Sequence, residues 1–212
     1  MKIFEAEQGT TEWLENRVGY FSASKAIELF STPSSATYNK LINEVAFGRL
    51  TGTIPPSYKS EIMRRGNDLE PEARQAFEVE TFLKVKEVGF CTMSEFVGMS
   101  PDGLIGEDGL LEIKCPIHTT QIGYLYSKKV PKNYLYQMQF QMMVSARDYC
   151  WFYSYYPDFK SFKVRIERDE KIINEIKLKL EEAIEKVQLI IKQLGEQNDK
   201  NKCRKIGKRY WV

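Results

Sequence analysis

Histidine is almost missing from this 212-residue chain: His118 stands alone, in a stretch after Cys115-Pro116 that reads as a loop. Serine–histidine and cysteine–histidine nucleophilic schemes would all have to run through it, and a structural or surface role fits that position better. The four cysteines, Cys91, Cys115, Cys150 and Cys203, are scattered singly with no CxxC pair. That argues against a zinc site and leaves no group of three near the C-terminus for an iron–sulfur cluster. Reduced thiols fit the cytosol. No run of eighteen apolar residues occurs, and MKIFEAEQGTTEW lacks the apolar core of a secretion signal. No membrane span and an intracellular, cytoplasmic place are therefore expected. An excess of one charge is lacking too, since a net +2 does not by itself announce a nucleic-acid binder. The exception is KNKCRKIGKRYWV, with six Lys/Arg and no acid. Such a tail, ending in Tyr210 and Trp211, can touch phosphate and stack a base, while a solvated tail or a partner-docking strand fits equally.

What is present is an ordinary globular composition, 42% hydrophobic and 28% charged, enough for one domain over 1–212. Thr10-Thr11-Glu12 opens a short helix through Arg17, Ser22 is placed to cap a second helix to about Phe30, and Ser34 a third that ends at Gly52. From Tyr58 a helical pattern runs through RRGNDLEPEARQAFE, with Gly66 and Pro71 predicting a break or fresh start near Asp68. Leu69, Ala73, Ala76 and Phe77 would face the core. FLKVKEVGF and EFVGMS read as strands, and LIGEDGLLEIKC as a hairpin turning at GEDG. Helices over roughly 118–129 and 133–146 precede two aromatic strands, YCWFYSYY and SFKVRIE. A long amphipathic helix of about 170–195 closes at Gly195, ahead of the basic tail 200–212. The pattern is α/β (α+β), with a central mixed sheet flanked by helices.

Chemistry concentrates in MSPDGLIGEDGLLEIKCP. Alternation along LLEIKC puts Glu112 and Lys114 on one face and Leu111, Ile113 and Cys115 on the other. The hairpin can fold Asp102 back beside Glu112. Two carboxylates and an ammonium at a sheet edge make a cation site, and hard divalent ions such as Mg2+ want such oxygen ligands and no histidine. A cation there can help deprotonate water and offset charge at phosphorus, which implies phosphodiester hydrolysis. A surface hairpin carrying a salt bridge fits the same three residues. DGLIGEDG lacks the alternating acids and the twelfth-position glutamate of a calcium loop.

Four blocks in order, QGTTEWLENRVGYFSASKA, RRGNDLEPEARQAFE, MSPDGL with LLEIKCP, and NYLYQMQFQMMV, resemble the phage lambda-type exonuclease or YqaJ-like viral recombinase family. This family falls within the PD-(D/E)xK nuclease superfamily, and the blocks span residues 8–144. The resemblance implies a restriction-endonuclease-like core and an Mg2+-dependent exonuclease that digests one strand of duplex DNA from its 5′ end. It further implies release of 5′-mononucleotides and 3′ overhangs for recombination, two metal ions with Mn2+ as a substitute, and a ring-shaped homotrimer around DNA. A single-strand annealing protein as partner and the cytoplasm of a bacterium carrying the phage or prophage complete the expectation. A PD-(D/E)xK endonuclease and a non-catalytic DNA-end-binding mediator are the competing readings.

Position by position, the resemblance assigns Asp102 and Glu112 as metal ligands with the Ile113 carbonyl beside them. Lys114 becomes the residue that positions or activates water, and Glu70 and Gln137 supporting catalytic residues. Arg17 and Ser24 correspond to a 5′-phosphate pocket. For these two the sequence offers its own reason, because an arginine beside a helix N-terminus presents charged donors and free N–H groups. Met63 corresponds to an apolar wedge at the terminal base pair. One departure stands out: Ser34 follows Pro33 where the family carries another phosphate-binding arginine, so either Lys25 or Lys40 compensates or the grip on the phosphate is weaker.

Overall fold

The computed structural model describes residues 1–53 and 61–207, with side chains except those of 62, 63 and 196–207. A five-stranded mixed sheet runs β3-β6-β7-β8-β9, from Val85–Lys86, Gly103–Ile105, Gly109–Lys114, Tyr149–Ser154 and Phe162–Glu167. A second, smaller sheet, β1-β4-β5-β2, joins Lys2–Phe4, Phe90–Thr92, Val97–Met99 and Phe21–Ser22. Within the large sheet β7 is central, antiparallel to β6 and parallel to β8. Alternation decides what each face of β7 meets. Leu111, Ile113 and Cys115 pack with Ala73 and Phe77 of α3 (Glu61–Thr81), while Leu110 joins the larger core on the other face. That core holds α5 (Lys132–Ser145), the 3-10 helix Ala23–Phe30, α2 (Ala36–Thr51) and α6 (Glu170–Gly207).

α5 is buried along most of its length, Tyr136 and Met138 through Val144. Its polar residues are tied down. Gln139 Nε2 donates to the Glu167 carbonyl at 2.8 Å, and its Oε1 accepts from the Asp169 N–H at 2.9 Å, at the junction of β9 and α6. The shorter helices α1 (Thr11–Asn16) and α4 (His118–Ser127) lie at the periphery. Among the described residues no helix is long and apolar enough to cross a membrane.

Several local expectations change. α3 runs unbroken through Gly66 and Pro71, because its buried stripe of Ala73 and Phe77, with Leu69 and Ala76, holds it against the sheet. Tertiary packing thus outweighs the local cost of a helical proline. α6 likewise continues past Gly195, where glycine costs only about 1 kcal/mol relative to alanine. The cap of α2 is Ser35, not Ser34: its hydroxyl accepts from the Tyr38 N–H at 3.2 Å. Ser22 occupies a helix N-cap position but makes no side-chain cap, and the helix it precedes is 3-10. FLKVKEVGF divides between the two sheets as β3 and β4. The start of the helical pattern at residues 58–60, the Met63 side chain, and Tyr210 and Trp211 of the basic tail lie outside the described residues.

Phe77, fully buried, packs edge-on against Tyr153 and Trp151 with ring centroids 5.3 and 6.0 Å away. Phe77→Ala should cost about 3–5 kcal/mol, measured by urea unfolding followed through tryptophan fluorescence.

Candidate active site

The β6–β7 register pairs Gly103 with Leu111, which places Asp102 across from Glu112. Asp102 Oδ2 accepts the Ile113 N–H at 2.6 Å, continuing with a side-chain oxygen the ladder that ends at Gly103. Glu112 is 1% exposed, and a carboxylate so buried needs donors. It has three: the Lys114 ammonium on Oε1, Gln137 Nε2 on Oε1 at 2.6 Å and Gln141 Nε2 on Oε2 at 2.7 Å. Lys114 also sits 5.1 Å over the Tyr134 ring, a geometry that favours the cation.

Glu70, on α3, faces the same place. Its Oε1 accepts Arg74 Nη2 at 2.7 Å; Arg74 also reaches the Asp102 carbonyl through Nε at 3.2 Å and Glu87 through Nη1 at 2.7 Å. Arg74 is 9% exposed and was not singled out from sequence, although Glu70 and Arg74 stand at the i,i+4 spacing of a helical ion pair. Glu70, Asp102, Glu112, Lys114 and Gln137 line a cleft of about 660 Å³ together with Arg17, Trp13, Ser22, Ser24 and Ser100. Asp102, Glu112, Ile113, Lys114, Glu70, Gln137, Arg17 and Ser24 are thus all brought together. Ser100, which receives Trp13 Nε1–H at 3.0 Å, is a further polar wall residue that sequence reasoning missed.

Arg17 also lines the cleft, and its guanidinium lies 4.0 Å over the Trp13 ring. Burial lowers its pKa to about 10, so it stays charged at neutral pH. The Ser22 and Ser24 hydroxyls are 3.3 Å apart, beside first-turn N–H groups that no serine side chain caps. The expected replacements for the missing arginine are engaged elsewhere: Lys25 pairs with Glu44, and Lys40 Nζ lies 3.8 Å from the same carboxylate. Ser34 is exposed. Arg17 and Lys114 are the cationic side chains lining the cleft among the described residues.

Electrostatics mark the carboxylates as crowded. Burial, then the charge of Glu112, raises Asp102 well above the ordinary aspartate range despite Lys114. Burial also raises Glu70, with Arg74 and Lys114 opposing and Glu112 assisting. For Lys114 burial works against the charge, but Glu112 and Asp102 outweigh it and raise the ammonium above its ordinary value. Among the described residues no three His, Cys, Asp or Glu form a ready metal cage. The fit to a cation therefore rests on two carboxylates and a backbone carbonyl, an all-oxygen set that suits an Mg2+-class ion keeping several waters. A cation there would favour the ionised form of Asp102 against the rise that burial and Glu112 cause.

Residues 12–148 match the YqaJ-like viral recombinase domain. No curated protein matches the chain. Among solved structures the chain is similar to the alkaline exonuclease LHK-Exo of Laribacter hongkongensis, 34% identical over 90% of this chain and 99% of that one, with a TM-score of 0.83. LHK-Exo in complex with dAMP is similar at 35% identity, the same coverage and the same TM-score. A phage related exonuclease from Haemophilus somnus 129PT shares the fold, at 19% identity over 82% of this chain and 96% of that one, with a TM-score of 0.68.

In the unfolded chain Asp102 titrates in the ordinary range, and in the folded protein higher. Stability from the retained proton is therefore present at low pH and lost as pH rises from the ordinary range through the raised value. Asp102→Asn keeps an oxygen for the Ile113 N–H and removes the charge. The chelated variant should melt a few degrees above wild type at pH 8, at about 2–4 °C per kcal/mol for a chain this size, with a smaller gap near pH 4. Thermal unfolding at both pH values checks it.

Proposed function

The chain belongs to the YqaJ-like viral recombinase family, the lambda-type exonucleases of the PD-(D/E)xK nucleases, and from that premise we propose an Mg2+-dependent exonuclease acting on duplex DNA ends. It digests one strand 5′→3′, releases 5′-mononucleotides and leaves a 3′ single strand for recombination. The observation that carries this reading is one cleft lined by both the Asp102–Glu112–Lys114 cluster and Arg17 with Ser24. The dAMP complex of the similar LHK-Exo supports a cleft that takes a nucleoside monophosphate.

Asp102, Glu112 and the Ile113 carbonyl would hold the Mg2+ ion, with Mn2+ able to replace it, and when bound it supplies charge neutralisation at phosphorus and a more acidic water. The protein's own donor set is small, so two ions would have to share it with substrate phosphate. Lys114 is held protonated by its carboxylates; it therefore donates rather than accepts, orienting the attacking water and steadying negative charge on the phosphate. Glu70, fixed by Arg74, faces the same water, and Gln137 holds Glu112 Oε1. Arg17, with Ser24 and the uncapped N–H groups beside it, binds the terminal 5′-phosphate and so sets polarity. The family reading also carries a ring-shaped homotrimer and a single-strand annealing partner, the first tested by sedimentation of the native protein.

Blunt linear duplex labelled separately at each end tests the core of the proposal. With Mg2+ the 5′ label should leave first, as a mononucleotide. Activity in excess chelator, or full activity of Asp102→Ala, would sink it, and rapid cutting of a closed circle would point to an endonuclease. Arg17→Ala should lower kcat/KM on 5′-phosphorylated ends about 10–100-fold, the factor that a charge-assisted hydrogen bond of roughly 1.5–3 kcal/mol carries, and leave 5′-hydroxyl ends nearly unaffected.

A further inference from the structure

Gln141 does not line the cleft, yet it touches the centre of the site from behind. It is 0% exposed on α5, and a buried amide without partners is destabilising in a way that an aliphatic side chain in the same helix is not. Both its polar ends are used. Nε2 donates to Glu112 Oε2 at 2.7 Å, and Oε1 receives the Cys150 thiol at 3.9 Å.

The donors on Glu112 divide by origin. Lys114 and Gln137, both lining the cleft, grip Oε1, while Gln141 alone holds Oε2. We infer that Gln141 is a positioning residue that keeps Oε2 turned into the core, so that Glu112 offers one oxygen, Oε1, to a cation in the cleft. The consequence is metal choice. A carboxylate limited to one oxygen suits the strict octahedral shell of Mg2+, whereas a carboxylate free to turn can offer both oxygens, as the larger and more adaptable Ca2+ accepts. This rests on the proposed role of Glu112 as a metal ligand.

The test is Mn2+ binding by EPR, with Mg2+ and Ca2+ as competitors, on wild type, Glu112→Ala, Gln141→Met and Gln141→Asn. Folding is checked by circular dichroism, and end binding is measured in chelator. Gln141→Met keeps the volume without the donor; Gln141→Asn keeps an amide one methylene short of Glu112. Each folded variant should bind Mg2+ about 10–100-fold more weakly, the effect typical of losing a group that orients a ligand, and Ca2+ nearly as before. Mg2+ affinity within twofold of wild type, or equal losses for both ions, would overturn the inference; so would failure of both variants to fold, which would make Gln141 a purely structural residue. Undiminished Mn2+ binding by Glu112→Ala would instead remove the metal-ligand reading beneath it.

Discussion

The pairing of Gly103 with Leu111 is the constraint on which the cleft depends. A slip of one residue would turn every side chain of β7 over, sending Glu112 toward Ala73 and Phe77 and Leu111 toward α5. Both ends of the hairpin oppose such a slip. Gly106 takes a positive φ of 53° in the turn, and a Cβ at Gly103 would lie 2.1 Å from Val85 Cγ1. The neighbouring strand β3 therefore packs closely only if a glycine sits at that step of the ladder. Asp102 meets Glu112 because this register buries the apolar residues of both strands and sets Gly103 where Val85 packs against it.

Bringing two carboxylates together in a buried place needs positive charge and donors nearby, since an unpaired buried charge is untenable. Glu112 is supplied with a lysine and two amides, and Asp102 with one N–H. Arg74 anchors the backbone of Asp102 and the carboxylate of Glu70 at once. What is left uncompensated shows as the raised pKa of Asp102. A divalent cation, as proposed above, would offset that residual deficit.

The parts of this arrangement that follow from local periodicity were legible in the sequence. Period-two alternation placed Glu112 opposite Leu111 and Ile113, GEDG marked the turn, and the ordered blocks identified the family. What was illegible depends on distant partners. Pro71 and Gly66 read locally as a break, and only the sheet beneath α3 overrides them. Lys25 reads as a spare cation until Glu44, 19 residues on, is placed beside it. Gln141 and Arg74 read as ordinary helix residues, because a buried polar side chain differs from an exposed one only in its surroundings. Strands of two or three residues, such as β2 and β3, carry too little pattern to be assigned to separate sheets.

The burial of α5 has a dynamic consequence. Through Gln137 and Gln141 it grips Glu112, and through Gln139 the turn between β9 and α6. Its backbone amides can reach solvent only when much of the core opens, since local opening of a segment is easiest where buried contacts are few. The inner wall of the cleft therefore keeps its shape for as long as the protein stays folded. Among the elements that line the cleft, α1 and α4 are the more exposed, and adaptation to a bound ligand falls to them.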